Sequence, residues 1–169
     1  MKTVSDAGLD FLTVQFRPRL FLGRVRTAAA KGAPGAAEAL ATLEALAKDG
    51  QDRVVVARDP NGRPFTQHLV DVRDVVTMLE TVLEHPAAVG EAFNVAGPAP
   101  FSYDVGAPYV AKVLGVPCDE VTLPFLATVH LSTAKSRSLL GFVPRYDFLT
   151  SVDDAVKLQR GDDIGVVRL

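Results

Sequence analysis

The chain has 169 residues, of which 48% are hydrophobic and 22% are charged. This is the composition of an ordinary globular domain, and it excludes an intrinsically disordered chain or a fibrous repeat. Lys and Arg number 18 against 20 Asp and Glu, which gives a net charge of −2, and the basic residues are scattered. We therefore expect neither a nucleic acid nor a membrane as a partner.

Other sequence features bear on the compartment. The longest stretch without a charged residue, 121–134, is too short to cross a membrane, and the first ten residues contain no apolar run typical of a signal peptide. A single cysteine, Cys118, excludes an internal disulfide and agrees with a reducing environment. We therefore expect a cytoplasmic protein.

The cysteine and the histidines do not form a recognisable metal motif. His68, His85 and His130 lie far apart, and none is spaced with another or with Cys118 as in a zinc site, so we expect no metal. Two acidic residues follow Cys118 directly and are expected to raise the pKa of its thiol. We predict an unreactive cysteine.

The first 70 residues predict strands around one helix. Residues 11–16 alternate between apolar and polar side chains, which predicts a strand, whereas residues 36–48, rich in Ala, Leu and Glu, predict a helix. The β-branched residues 53–57 predict another strand that ends at the turn sequence DPNG, 59–62. Residues 65–70 then return as its hairpin partner or as a neighbouring strand.

A strong helical period lies between Asp71 and Pro86. Asp71 is placed to cap this helix, and the His85-Pro86 pair is placed to end it. Six apolar side chains share one face of this helix, and they are Val72, Val75, Val76, Leu79, Val82 and Leu83.

The next segments predict two short strands on either side of a helix. Residues 91–96 and 121–123 are the predicted strands. The helix between them is capped by Ser102 and stopped by Gly115, and Pro108 within it predicts a kink or a late start.

The C-terminal segment predicts two helices. Ser132 is placed to cap a brief helix that runs to Leu140 and stops at Gly141. Thr150 and Asp153 resemble a capping box for a last helix through Gln159.

Four motifs in a fixed order carry a resemblance to a known family. They are RPRLFLG at 17–23, QHLVDVRDV at 67–75, GEAFNVAG at 90–97, and STAK at 132–135 leading to LLGFVPRY at 139–146. This order resembles the C-terminal half of the NAD-dependent epimerase/dehydratase family, the extended short-chain dehydrogenases/reductases. The resemblance covers roughly residues 5–158.

The resemblance implies an α/β fold, the C-terminal part of a doubly wound, Rossmann-type sheet plus a small mixed α/β substrate-binding lobe. Residues 1–160 would form this epimerase/dehydratase-like part, and residues 161–169 an irregular tail. The predicted strands at Phe11, Val54 and Phe93 would belong to the sheet.

The family's catalytic motifs are missing from this sequence. The only candidate for its glycine-rich fingerprint, 32–38 (GAPGAAE), lacks the third glycine and follows no predicted strand. The family's Tyr-x-x-x-Lys pair is also absent, because Ala107, Val113 and Thr150 stand four positions after the three tyrosines. NAD or NADP is the implied cofactor, but we predict no catalytic residue and expect the chain to lack the family's first half and to be catalytically incomplete.

The resemblance also indicates candidate contact residues. Pro18, Arg19 and Leu20 match a family segment that passes the nicotinamide and the substrate pocket, although Pro18 could merely end a strand and Arg19 could be a solvated charge. Leu20, Arg63 and Gln67 are the candidate substrate contacts. Nucleotide-sugar members carry Thr-Arg-Asp where this chain has Thr-Gln-His, and Gln67 lacks the charge that suits a diphosphate. Arg63 could replace that arginine, or it could be an ordinary exposed charge in a turn.

Two polar clusters have both a catalytic and a structural interpretation. Asp71, Arg73 and Asp74 could form a charged catalytic cluster, but a cap with local ion pairs explains them better. His130 and Ser132 could suggest a nucleophile, yet no Gly-x-Ser-x-Gly elbow is present, which favours Ser132 as a cap.

Two functions follow as hypotheses. The first is the substrate-binding portion of an NAD(P)-dependent epimerase, dehydratase or reductase that takes a small molecule such as a sugar derivative. The second is a non-enzymatic binding or assembly module that forms a homodimer or pairs with a separate N-terminal half. A truncated product without function would instead fold poorly and aggregate.

Overall fold

The computed structural model describes residues 12–165, which form two compact units. The first unit contains residues 12–66 and 102–128, and the second contains residues 67–101 and 129–165. In chain order the elements are α1 (Pro18–Ala30), α2 (Ala36–Lys48), β1 (Val54–Arg58), β2 (Thr66–Gln67), α3 (Val72–Glu84), a 3-10 turn (Pro86–Ala88), β3 (Phe101–Ser102), α4 (Tyr103–Leu114), β4 (Cys118–Thr122), α5 (Ala134–Leu140) and α6 (Phe148–Arg160).

The first unit is built around a parallel pair of strands. β1 pairs with β4 from Val54 opposite Cys118 to Arg58 opposite Thr122, and the VVVA run of β1 is buried. α4 packs against β1, and α1 packs against α2. This arrangement confirms the mixed α/β fold class, because parallel strands joined through helices are its defining unit.

An aromatic cluster fills the core of the first unit. Phe16, Phe21 and Phe65 surround the ring of Tyr103, with ring centroids 4.8, 6.3 and 5.9 Å from it. The Tyr103 hydroxyl donates a hydrogen bond to the carbonyl of Gln15 at 3.2 Å, so this buried phenol is satisfied.

The predicted strand at 11–16 is wrong over its described part. Residues 12–14 are helical and lead into a turn, in which the amide of Phe16 donates to the carbonyl of Thr13 at 3.0 Å. Thr13 and Phe16 are buried whereas Val14 is 46% exposed, so burial recurs at a spacing of three. That spacing belongs to a helical turn and not to a strand. Residue 11 lies outside the described residues.

Of the other predictions for the first unit, some are confirmed and some need correction. The helix at 36–48 is present with the predicted bounds, and Asp59 and Gly62 close the predicted turn through a hydrogen bond of 2.9 Å. Only Thr66–Gln67 of the predicted strand 65–70 forms a ladder, and its partner is β3. α4 begins at Tyr103 despite Pro108, so the late start is wrong, and β4 begins three residues before the predicted strand at 121–123.

The second unit is held by helix termini and a small core. Asp71 caps α3 as predicted, because its carboxylate accepts a hydrogen bond from the amide of Arg73. Met78, Leu140 and Phe142 form the buried cluster against which Phe93 and Val95 pack.

The predicted apolar face of α3 is only partly buried, with Val82 packed against the small core. The side chains that α3 buries are Asp74 and Met78, while Val72 is 59% exposed and Leu83 is 85% exposed. Val76 and Leu79 are also about half exposed, at 49% and 55%. The sequence period identifies an apolar face, but a face is buried only where another element covers it.

Three local predictions in the second unit need correction. Residues 91–96 do not form a strand, although Phe93 and Val95 still point to the core, because no described strand offers them a ladder. α5 begins at Ala134 with Thr133 at its N-cap, one residue after the predicted cap Ser132. α6 begins at Phe148, and its cap is Asp147, whose carboxylate accepts from the amide of Thr150 at 2.8 Å.

None of the helices within residues 12–165 combines the length and the apolar character needed to cross a bilayer.

Candidate functional site

A cleft of about 630 Å³ in the second unit is the candidate ligand site. It is lined by residues 98–100 and 130–134 together with His68, Arg137 and Ser138. We call it the His68 cleft. Its volume lies within the range of small-molecule sites, roughly 300–1,000 Å³.

His68 ties the two lining segments together. The buried ring places Nε2 at 2.9 Å from the carbonyl oxygen of Gly97, and Nδ1 at 3.1 Å from the amide nitrogen of Leu131. Because an amide only donates, Nδ1 accepts this bond, and Nε2 carries the proton that it donates to Gly97. His68 is therefore a positioning residue whose neutral tautomer is fixed by the backbone.

Gly97, which directly precedes the cleft segment 98–100, occupies a position that only glycine can take. Its amide donates to the carbonyl of Leu69 at 2.7 Å, and a Cβ at this position would lie 2.9 Å from that oxygen and 3.3 Å from the carbonyl oxygen of Tyr146. Both neighbours are backbone atoms and cannot rotate away, so only glycine allows the approach.

We expect Gly97→Ala to lower the free energy of unfolding by about 2 kcal/mol, because the added methyl group overpacks two carbonyls. The matched control is Gly23→Ala in α1, where a Cβ meets nothing within 4 Å. That change is expected to stabilise the chain by about 0.5–1 kcal/mol, since alanine favours a helix. Urea denaturation measures both, and equal effects from the two variants would contradict the close approach at Gly97.

The His68 cleft combines an apolar wall with a positive side chain. Residues 98–100 (PAP) and Leu131 supply the apolar wall, and Thr133 is half-buried beside it. Arg137 is exposed, and within residues 12–165 its guanidinium has no hydrogen-bond or ion-pair partner. Among residues 12–165, no carboxylate lines the cleft. The cleft therefore favours neutral or anionic ligands over cations.

A buried ionic network next to the start of α3 is structural. The Arg73 guanidinium forms two hydrogen bonds of 2.9 Å with the Asp71 carboxylate and one of 2.8 Å with Asp154, and it lies 3.6 Å from the Tyr146 ring centroid. Asp74 accepts from the backbone amides of Arg145 and Tyr146 at 3.0–3.1 Å. Every member of the cluster predicted as a catalytic alternative thus has a structural partner.

The ionic network shifts the pKa values of its members. Burial acts to raise the pKa of Asp71, but the hydrogen bonds from Arg73 and Ser151 outweigh it and hold that pKa below its usual value. Burial likewise acts to raise the pKa of Asp154, and the bonds from Lys157 and Arg73 lower it overall. The pKa of Arg73 is raised, chiefly by its bonds to Asp71.

The predicted cofactor contacts lie at the start of α1. Pro18 is buried as the first residue of this helix, and Arg19 is exposed and donates to the carbonyl of Ala47 at 3.2 Å. Leu20 is 51% exposed. Arg17 and Asp52, which line a cavity of about 460 Å³ with Pro18 and Arg19, form an ion pair.

The predicted substrate contacts lie in different units. Leu20 and Arg63 belong to the first unit, and Gln67 belongs to the second. The Arg63 side chain is 63% exposed and pairs with Asp59 at 2.6 Å, which is the turn interpretation made from the sequence. Sequence reasoning did not identify His68 or Arg137 as cleft residues.

Cys118 has the predicted raised pKa. Partial burial of the thiol is the main cause, and the negative charges of Asp119 and Glu120 act in the same direction. A thiol that stays protonated is a poor nucleophile.

Comparisons with known proteins give a structural match. No family model and no curated protein matches the chain. A short-chain dehydrogenase/reductase superfamily protein from Agrobacterium tumefaciens with bound NAD matches over 81% of this chain, with 28% identity and a TM-score of 0.63. The chain therefore resembles, in fold and in sequence, part of a short-chain dehydrogenase/reductase superfamily protein.

The part of the superfamily fold that is shared is the C-terminal one. The chain spans 41% of the length of the Agrobacterium protein. It also shares the fold of UDP-N-acetylglucosamine 4-epimerase from Bacillus cereus, at 17% identity, a TM-score of 0.52, and coverage of 66% of this chain and 36% of that chain. ADP-L-glycero-D-manno-heptose-6-epimerase from Helicobacter pylori gives 15% identity, the same TM-score, and coverage of 65% and 34%.

The glycine-preceded start of α2 does not fit the pyrophosphate of a dinucleotide. A pyrophosphate is held by the amides at a helix N-terminus that follows a strand. The glycine-preceded N-terminus of α2, at Gly35, follows α1 and not a strand, and Glu38 stands in its first turn. Glu120 lines the same cavity of about 480 Å³. These carboxylates would repel a pyrophosphate, so we derive no step through NAD or NADP.

Proposed function

We propose that this chain supplies the substrate-binding portion of an NAD(P)-dependent epimerase, dehydratase or reductase of this superfamily. The observation that carries the proposal is the 28% identity over 81% of the chain to a superfamily structure with bound NAD. The His68 cleft is the proposed ligand site, because it has the volume and the mixed apolar and polar lining of a small-molecule pocket.

In this proposal the residues of the cleft bind and orient the ligand. His68 holds the wall at Gly97 and the segment at Leu131 in place, the PAP segment offers an apolar surface, and Thr133 offers a hydroxyl. The dinucleotide and the proton-transferring groups are supplied by a part of the fold other than the described residues. Pro18, Arg19 and Leu20 remain the proposed contacts to the cofactor held there. Leu20, Arg63 and Gln67 remain substrate contacts proposed from the resemblance alone, because none of them lines the His68 cleft.

The proposal is tested by filling the cleft. We expect Ala99→Trp to abolish the thermal stabilisation that sugars and sugar derivatives give to the chain, because the indole would occupy the volume beside the apolar wall. Ala37→Trp, at an exposed position of α2 in the first unit, is the matched control and is expected to leave it unchanged.

Calorimetric titration with NAD(H) and NADP(H) completes the test. We expect no micromolar affinity of the chain for either dinucleotide. Tight dinucleotide binding by the chain alone, or stabilisation by sugars that Ala99→Trp does not change, would overturn the proposal.

An assembly function is the second candidate, and the exposed face of α3 favours it. Val72, Val76, Leu79 and Leu83 are spaced by four, three and four residues, which is the spacing of a seam between two packed helices. Two copies of α3 in antiparallel orientation would place Val72 opposite Leu83 and Val76 opposite Leu79. We therefore propose a second copy of this chain as the occupant of this face.

Light scattering on the full chain tests the homodimer. We expect a dimer at micromolar concentration, and a monomer for the variant Leu79→Gln/Leu83→Gln, whose monomer stability should change by less than about 1 kcal/mol because both side chains are largely exposed. The exposed pair Thr77→Gln/Glu84→Gln on another face of α3 is the control. A monomeric parent chain would contradict the homodimer and favour a separate N-terminal half instead.

A further inference from the structure

We propose that the His68 cleft takes a ligand with a single oxyanion group, one phosphate or one carboxylate, which is bound by Arg137. This inference rests on the proposed function, because it uses the same cleft, and it names the class of ligand.

The charge distribution around the cleft is the first observation that favours an anionic ligand. Arg137 lines a cleft that no carboxylate among the described residues lines, although the whole chain has a net charge of −2. The cavity of about 480 Å³ in the first unit is instead lined by Glu38 and Glu120. A cationic cleft in an acidic protein concentrates anions at that place.

The second observation is that the neighbouring lysine and arginine side chains already pair with carboxylates. Lys135, two residues before Arg137, is bound to the carboxylate of Glu91 at 2.5 Å and to the carbonyl of Ala92 at 2.9 Å, and its side chain does not line the cleft. Arg73, in the same unit, is bound to Asp71 and Asp154. Among the described cleft residues, Arg137 is the arginine or lysine left to pair with a ligand.

A single guanidinium in the cleft limits the ligand to one oxyanion group. Its planar fork matches the two oxygens of one carboxylate or one phosphate. A diphosphate would bring a second cluster of negative charge into a lining that offers it no further arginine or lysine. A single oxyanion is therefore favoured over a nucleoside diphosphate.

The other side chains of the cleft indicate the chemistry of the remainder of the ligand. Thr133 presents a hydroxyl next to the same helix, and the PAP segment at 98–100 presents an apolar wall. A neutral body with hydroxyl groups, attached to one oxyanion, satisfies both surfaces.

Calorimetric titration of the full chain tests this assignment with five probes. They are glucose 6-phosphate, gluconate, glucose, inorganic phosphate and UDP-glucose. We expect the sugar phosphate or the sugar acid to bind at least about tenfold more tightly than glucose and than UDP-glucose, and the stronger of these two probes identifies the oxyanion as phosphate or carboxylate. Inorganic phosphate, without a body, is expected to bind more weakly than the stronger probe.

Arg137→Gln is the decisive variant. We expect it to weaken binding of the anionic probe by about 10- to 100-fold, the usual value of a charged hydrogen bond, and to leave glucose binding unchanged. Arg160→Gln, at the exposed end of α6, is the matched control and should change neither. Circular dichroism confirms that both exposed substitutions leave the fold intact.

Equal affinity for glucose and the anionic probes would overturn the inference, as would an Arg137→Gln variant that binds the anions normally. So would an absence of binding by all five probes up to millimolar concentration. The proposed function fails separately, through tight dinucleotide binding by the chain alone, which leaves the Arg137 result unaffected.

Discussion

Asp74→Ala is expected to lower the free energy of unfolding of the second unit by about 3 kcal/mol. The Asp74 side chain is 1% exposed, and its carboxylate accepts hydrogen bonds from the amides of both Arg145 and Tyr146. Alanine removes an ionised acceptor from two donors at once, and charged hydrogen bonds contribute about 1.5–3 kcal/mol each. Urea denaturation measures the loss, and hydrogen exchange of the α3 amides assigns it to this unit.

Two further variants separate geometry from charge at Asp74. Asp74→Asn keeps one carbonyl oxygen in the position of Oδ2, which contacts both amides, so we expect about half of the alanine effect. Glu80→Ala removes an exposed carboxylate from the same helix and should change stability by less than about 0.5 kcal/mol. Equal losses from Asp74→Ala and Glu80→Ala would refute the role of the buried carboxylate.

Arg73→Met is expected to destabilise the second unit by a similar amount, about 3 kcal/mol. The substitution keeps an apolar stem against Tyr146 but leaves Asp71 and Asp154, both about 10% exposed at the side chain, without their shared cation. Removing one partner of a buried ion pair leaves an uncompensated charge, which costs more than the pair contributes. Arg160→Met is the control, because Arg160 is exposed at the C-terminal end of α6.

The pH dependence of unfolding is a second test of the stabilisation that Arg73 gives to Asp71 and Asp154. The pKa values of Asp71 and Asp154 are lowered in the folded chain, so the stabilisation that they give is complete above the unfolded value, about 3.9. It is lost as the pH falls through the lower folded values. The melting temperature should therefore drop below about pH 4 in the parent chain, and this drop should shrink in Arg73→Met. An unchanged acid profile would contradict the network.

Local signals in the sequence predicted the elements that are stabilised locally. The helix at 36–48, the cap at Asp71 and the stop at Gly141 depend on neighbouring residues, and the structure confirms all three. The strands predicted at 91–96 and, over its described part, at 11–16 are wrong, because a strand also needs a partner whose position no local pattern contains.

In the candidate site, too, the sequence predicted local segments but not the contacts between residues that lie far apart in the chain. The NVAG and STAK motifs, which carried the family resemblance, lie in or next to the segments that line the His68 cleft. The sequence could not show that His68 joins them, because Gly97 and Leu131 lie about 30 and 60 positions further along the chain. The sequence also could not distinguish Arg137, which lacks a side-chain partner among residues 12–165, from Lys135 and Arg73, which pair with carboxylates.

The parallel pairing of β1 with β4 constrains how the chain acquires its structure during synthesis. Val54 meets Cys118 roughly sixty positions later, and residues 67–101, which belong to the second unit, are translated in between. Pairings between distant segments form slowly, because the intervening loop must be closed first. The apolar VVVA segment of β1 therefore leaves the ribosome well before its partner does, and it stays unpaired until β4 has been synthesised.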